Sequence, residues 1–203
     1  MKALFNEEEL MLKAVVREFA DRELIPKASE YDKTESFPWD NIHSLSSMGL
    51  MGLTIPEEYG GANSTYAQLM IAVEELARGC AATSVIHLTH LSLGSESIIR
   101  FGSKTQQEYF LPKLASGEFL AAFALTEPSS GSDASDIQTI ALRTKEGYTI
   151  NGSKTFITNG PEADVLIVFA ATDPNDGSHG ISAFLVQKDT PGLNVTVQKG
   201  KMG

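Results

Sequence analysis

The chain has 203 residues, 42% hydrophobic and 21% charged, and a formal net charge of −10 at pH 7. That apolar share fits a soluble globular chain of one large or two modest domains, and the acidic balance excludes a basic nucleic-acid-binding face. With Cys80 as the only cysteine, a disulfide framework and a cysteine-based zinc site are excluded as well.

Cys80, next to Ala81 and Ala82, reads as a small buried hydrophobe in a reducing compartment. The stretch MKALFNEEELMLKAVVREFADREL lacks the unbroken apolar run of a secretory signal and is too acidic for a transit peptide. No segment approaches the roughly 20 apolar residues of a membrane helix. The expectation is a soluble, cytoplasmic protein with no membrane and no nucleic-acid partner.

The first half has a helical period. Asn6 with Glu9 makes a capping-box start, and Leu12, Val15, Val16 and Phe19 fall on one helix face, with Pro26 expected to close the helix. A second helix is predicted from Trp39 to Met48, ending at Gly49. TIPEEYGG (54–61) is a loop, because Pro56 and the Gly60–Gly61 pair break regular structure. Helix resumes at about Thr65, with Tyr66, Leu69, Val73 and Leu76 as its apolar stripe. Two more helices are predicted, from about Ala82 to Phe101 and from Lys104 to Leu111, punctuated by Gly102 and Pro112. His87 and His90 share a helix at a metal-like spacing, but no third ligand accompanies them, and no metal is expected.

After residue 120 the period becomes that of strands. AAFALT and DIQTIALRT are candidates, YTI and KTFIT flank Asn151–Gly152 as a predicted hairpin, and VLIVFAA, ISAFLVQ and LNVTVQ follow, with DPNDGSHG as a loop. Helices first and strands afterwards predict an α+β chain of two domains, helical over 1–120 and β over 121–203. The sheet domain is expected to be an antiparallel barrel or sandwich, incomplete because the chain stops at QKGKMG just after a strand pattern.

The chemically distinctive stretch is FALTEPSSGSD (123–133). Gly131 lets a ligand approach the main chain, Thr126, Ser129, Ser130 and Ser132 offer hydroxyls, and successive N–H groups in such a turn can cradle a diphosphate. The stretch has neither the Gly-Lys-Ser/Thr ending of a P-loop nor the following helix of a dinucleotide fingerprint. On composition alone the ordinary turn between strands is the favoured reading.

Together with INGSKTFITNG (150–160), PEEYGG (56–61), FGSKTQQEYFLPKLASGE (101–118) and GISAFLVQKDTPGL (180–193), the loop resembles the acyl-CoA dehydrogenase family over essentially the whole chain. The resemblance implies α,β-dehydrogenation of an acyl-CoA thioester with FAD as hydride acceptor. It implies FAD contacts from Phe123, Ala124, Leu125, Thr126, Glu127, Pro128, Ser129, Ser130, Gly131 and Ser132, and from Phe156, Ile157 and Thr158. Many relatives carry Trp where this chain has Phe156, an exchange that keeps an aromatic shield. Ser132, with Ser178, is implied to contact the CoA arm. Glu127 belongs to the loop architecture and is not the base.

No catalytic residue is expected within this chain. The family pattern continues into a C-terminal four-helix bundle that supplies the base glutamate, so the 203 residues are expected to be truncated and inactive alone. When complete, the protein is expected to be a homotetramer that passes electrons to electron-transferring flavoprotein. TSVIHLTHLSLG (83–94) is similar to the corresponding helix of short-chain enzymes. A non-catalytic flavin- and acyl-CoA-binding half or split subunit, or an acyl-CoA oxidase or flavin monooxygenase of the same fold, are the alternative readings.

Overall fold

The first helix, α1 (Glu7–Phe19), begins at a reciprocal cap. Asn6 Oδ1 accepts the Glu9 N–H and the Glu9 carboxylate accepts the Asn6 N–H, both at 2.9 Å, in a computed structural model that describes residues 5–200. The first four residues of the N-terminal stretch and residues 201–203 lie outside the described residues. Pro26 does not end the helical path as expected. A π-helical turn, Ala20–Leu24, leads into α2 (Ile25–Thr34), where Pro26 sits in the first turn. A proline is tolerated there because its missing N–H would have no helical partner.

α3 (Trp39–Ser47) ends before Gly49, whose φ of 73° takes the left-handed conformation that stops a helix. α4 (Tyr66–Gly79) opens on a second reciprocal cap, from Thr65 and Gln68. A Cβ on Gly79 would lie 2.9 Å from that of Leu24 and 3.0 Å from that of Ala20, so glycine lets α4 approach the π turn. The long helix expected from Ala82 to Phe101 is three segments in succession: α5 (Ala81–Leu88), a π turn (Thr89–Ser95) and α6 (Glu96–Phe101). α7 (Lys104–Ser116) runs past Pro112 instead of stopping before it. The helical donor lost at Pro112 belongs to the carbonyl of Glu108, an exposed residue whose carbonyl water can serve.

Two buried polar clusters hold these helices. Glu75, only 1% exposed, accepts Arg17 Nε and Nη2 at 2.9 and 2.8 Å, Arg78 Nε at 3.2 Å and Lys13 Nζ at 3.0 Å. Burial alone would raise this carboxyl, but bonds from Arg17, Lys13 and Arg78 outweigh it and hold the pKa at about 2. The buried His87 and His90 lie against backbone carbonyls. His87 Nε2 lies 2.8 Å from the Leu50 carbonyl, and His90 Nε2 lies 3.2 and 3.1 Å from those of Met51 and Leu114. Carbonyls only accept, so both rings are fixed as Nε2–H tautomers that staple the turn Leu50–Gly52. Among the described residues no three His, Cys, Asp or Glu side chains gather as metal ligands would, and no helix is long and apolar enough to cross a membrane.

The contacts divide the chain into two units, Met1–Phe119 with Lys199–Gly203, and Leu120–Gln198. The second unit holds β1 (Ala121–Ala124), β2 (Ile140–Arg143), β3 (Tyr148–Asn151), β4 (Val165–Ala171) and β5 (Ile181–Gln187). The expected antiparallel barrel or sandwich is not what forms: the sheet is mixed and open, with β1 and β2 parallel to β4 and with β3 and β5 antiparallel to their neighbours. A parallel partner needs a long crossover, and residues 125–164 supply it between β1 and β4. LNVTVQ forms no strand.

β5 pairs along the whole of β4, so β1 and β2 share the opposite edge in succession. β1 matches Val165–Val168, and β2 joins only at Ala171. One face of the sheet packs Ala122, Ala124, Leu166 and Val168 with Ala163, joined by Ile150, Ile157, Val186 and Leu193.

The buried histidines set the acid response of the helical unit. Burial lowers both pKa values, His90 to about 4 with the neighbouring His87 adding to the effect, against about 6.5 in the unfolded chain. Between those values the unfolded chain binds more protons, so stability falls as pH drops from about 6.5 to about 4. Glu75 adds a second loss, from about pH 4.5 toward about 2. Urea midpoints read by helical circular dichroism across this range should show the first loss well above the carboxylate range.

Candidate functional site

β1 leaves β4 at Val168 and β2 joins it at Ala171, and between these two strands Glu127 ties the loop FALTEPSSGSD to the residues that lead into β2. Its Oε1 accepts Lys154 Nζ at 2.7 Å, Thr139 Oγ1 at 2.5 Å and the Thr139 N–H at 3.0 Å, and its Oε2 accepts the Gln138 N–H at 2.6 Å. Four donors therefore converge on this one carboxylate, three of them on Oε1 and one on Oε2. The side chain thereby fixes the loop after β1 to the start of β2 and to the segment after β3.

Glu127 is 4% exposed. Burial by itself would raise its pKa, but bonds from Lys154, Thr139 and the Gln138 and Thr139 N–H groups hold it at about 2. Lys154 also donates to the Leu125 carbonyl at 3.0 Å. A reciprocal turn completes the loop: the Glu127 N–H donates to the Ser130 carbonyl at 2.9 Å, and the Ser130 N–H to that of Glu127 at 3.2 Å. Ser130 Oγ then donates to the Asp133 carbonyl at 2.6 Å.

The second predicted stretch is no strand, and no hairpin forms at Asn151–Gly152. The hairpin lies one turn earlier, between β2 and β3, closed by Thr144 N–H to the Gly147 carbonyl at 2.9 Å. Gly152 answers to packing instead. A Cβ there would meet Thr139 Oγ1 at 2.2 Å. Beyond it, Phe156 has a φ of 56° and Asn159 one of 66°, which end any extended run. A bulky residue at positive φ is a strained outlier that its surroundings must hold. On one side the Thr155 N–H donates to the Thr126 carbonyl at 2.9 Å; on the other, Asn159 Nδ2 donates to the Ala121 carbonyl at 3.1 Å. The Phe156 ring is left 71% exposed, while Ile157 packs into the core beside Ala122 and Ala124.

The two stretches therefore meet through Thr126 and Thr155, and through Lys154 with Leu125 and Glu127. Of the candidate residues, Pro128, Ser129, Gly131, Ser132 and Phe156 are exposed, and Leu125, Thr126, Ile157 and Thr158 are half-buried. Phe123 is half-buried against Phe169, with ring centroids 4.8 Å apart. Ala124, Glu127 and Ser130 are buried, so their side chains serve the unit's interior. Ser178 lies exposed in the short 3-10 turn Gly177–Gly180 between β4 and β5. Gly177 of that turn lines a cleft of about 260 Å³ with Ser135, Asp136 and Gln138; Ser178 is not among its lining residues.

The sequence reading missed Lys154, Gln138 and Thr139. Lys154 carried a signal, being the one charged residue in INGSKTFITNG. Gln138 and Thr139 carried none, because their part depends on Glu127 folding back over them.

Residues 6–118 match the family model of the acyl-CoA dehydrogenase N-terminal domain, and residues 122–203 that of the middle domain. An acyl-CoA dehydrogenase of Bacillus subtilis is 46% identical over 98% of this chain and 52% of its own length. The structure of butyryl-CoA dehydrogenase from Megasphaera elsdenii superposes with a TM-score of 0.93 at 39% identity, over 98% of this chain and 53% of that one. Glutaryl-CoA dehydrogenase from Mycobacterium smegmatis, in complex with FADH2, gives a TM-score of 0.89 at 34% identity, over 96% and 49%. The chain thus spans about half the length of the relatives it matches.

Replacing Glu127 by Gln sets a donor against the Gln138 N–H and leaves the nearly buried Lys154 ammonium without an anionic partner. Breaking one partner of such a pair costs about 3–5 kcal/mol, so Glu127→Gln should lower the urea midpoint of the β unit by that equivalent. In the native chain this stabilisation is present above about pH 4.5 and is lost as pH falls toward about 2. Amide exchange at Gln138 and Thr139 in the variant locates the loss at the clasp.

Proposed function

The chain belongs to the acyl-CoA dehydrogenase family, and from that premise we propose that its β unit is the flavin- and acyl-CoA-facing part of an FAD-dependent dehydrogenase acting on the Cα–Cβ bond of a short acyl-CoA thioester. The observation that carries the reading is the junction of Leu125–Ser132 with Lys154–Thr158 around the buried Glu127. Two segments with few regular hydrogen bonds are held rigid there, while hydroxyls, an open glycine and an aromatic ring remain outside.

These residues fit FAD. A Cβ at Gly131 would have no heavy atom within 4 Å, so the backbone between Ser130 and Ser132 is open to a diphosphate, which N–H groups and hydroxyls suit. Thr126 and Thr158 offer hydroxyls to the polar edge of the ring, and the exposed Phe156 ring offers apolar cover. When bound, FAD would supply the hydride acceptor. The chain's residues bind and orient the cofactor and the acyl-CoA arm, Ser132 toward both and Ser178 toward the arm. The base that removes the α-proton is assigned beyond these 203 residues, so the chain alone binds without turnover. Electrons would then pass to electron-transferring flavoprotein, as expected of the family.

Titration of the purified chain with FAD, followed by flavin fluorescence, tests the reading. Saturable binding is expected, and Ser132→Ala should weaken it roughly tenfold, the value of one hydrogen bond to a charged group. No saturable binding would overturn the assignment of the loop.

The short-chain preference is supported by TSVIHLTHLSLG and by the likeness to a butyryl-CoA dehydrogenase. In a form extended to the relatives' length, kcat/KM should be higher for butyryl-CoA than for isovaleryl- or octanoyl-CoA. A preference for octanoyl-CoA contradicts it.

A further inference from the structure

Lys154 is nearly buried, its side chain 11% exposed, and it binds two acceptors of different kinds: the Glu127 carboxylate at 2.7 Å and the Leu125 backbone carbonyl at 3.0 Å. One bond to Glu127 would suffice to neutralise a buried carboxylate. The bond to Leu125 has a separate effect. The next carbonyl along, that of Thr126, is held at 2.9 Å by the Thr155 N–H. Two consecutive backbone acceptors at the mouth of the loop are thereby engaged from the same neighbouring segment. The side chains near that mouth, Thr126, Ser129, Ser132 and Thr158, carry hydroxyls, which can donate.

We propose that Lys154 is a positioning residue for the ligand: by taking the Leu125 carbonyl it turns the loop's acceptors inward, so that a bound ring edge meets donors. Such a face favours the carbonyl oxygens of an isoalloxazine ring. This rests on the reading that the loop holds the flavin, and it gives Lys154 a part separate from the stability of the clasp. Thr139 provides the contrast, because it donates to the same carboxylate oxygen and does not touch Leu125.

The test titrates the purified chain with FAD, reading flavin fluorescence and the shape of the visible band, for the native sequence, Lys154→Met and Thr139→Val. Each is measured at a temperature where circular dichroism shows it fully folded. Lys154→Met should weaken FAD by about tenfold or more and change the band, whereas Thr139→Val should cost less than about threefold and leave the band native. Equal losses in the two variants, or near-native affinity in Lys154→Met, overturn the proposal. Should Lys154→Met fail to fold, the double variant Glu127→Gln/Lys154→Met leaves no lone buried charge. It is held to the same tenfold loss, and native-like affinity in it overturns the proposal equally. A native chain that takes up no FAD overturns the underlying reading and this proposal with it, an outcome distinct from native binding that Lys154→Met leaves intact.

Discussion

The β unit depends on one buried carboxylate. β4 has two edges and β5 fills one of them, so β1 and β2 must divide the other, leaving a stretch with no strand to pair. Glu127 joins the loop after β1 to β2 by accepting the N–H groups at the threshold of β2. An anion buried for this task needs a cation, and Lys154 arrives from the segment after β3 to provide it. The position of the loop, its link to Thr155 and the exposure of Phe156 all follow from meeting that demand.

The helical unit solves a similar problem with different materials. Glu75 gathers cations from α1 and from its own helix, and two of them, Arg17 and Arg78, keep substantial contact with solvent. If their partner were lost they could hydrate, which makes the Glu75 cluster forgiving. The Lys154 ammonium has little such recourse. Two carboxylates held near the same pKa therefore carry different risks, and the more exposed partners belong to the unit that does not carry the loop.

Local rules were legible in the sequence where local interactions decide the outcome. The cap at Asn6, the helix start near Thr65 and the β-branched runs VLIVFAA and ISAFLVQ correspond to elements with those starts or spans. Pro26 misled because a proline that ends one helix and a proline in the first turn of the next look alike in a linear string. Asn151–Gly152 misled because that glycine answers to Thr139, a contact made by packing and not by a turn. KTFIT looked like a strand because Phe, Ile and Thr favour strands, while the left-handed Phe156 is imposed by bonds to Thr126 on one side and by Asn159 on the other. The loop was visible as a ligand-facing composition; its anchor was not, since Lys154 and Glu127 are joined across 27 positions.

The contact at Gly152 carries a consequence for how such sequences drift. Any side chain at 152 would meet Thr139 at its Oγ1, its Cβ and its main-chain Cα, at 2.2, 2.6 and 2.7 Å, so no smaller residue at 139 makes room, and the hydroxyl that Glu127 receives is packed directly against the glycine. Positions 127, 139 and 152 are thus yoked, although one is acidic, one hydroxylic and one has no side chain at all. The glycine at 152 is required whatever residue stands at 139, and a position that looks like turn punctuation is tied by that yoke to an ion pair on the far side of a threonine.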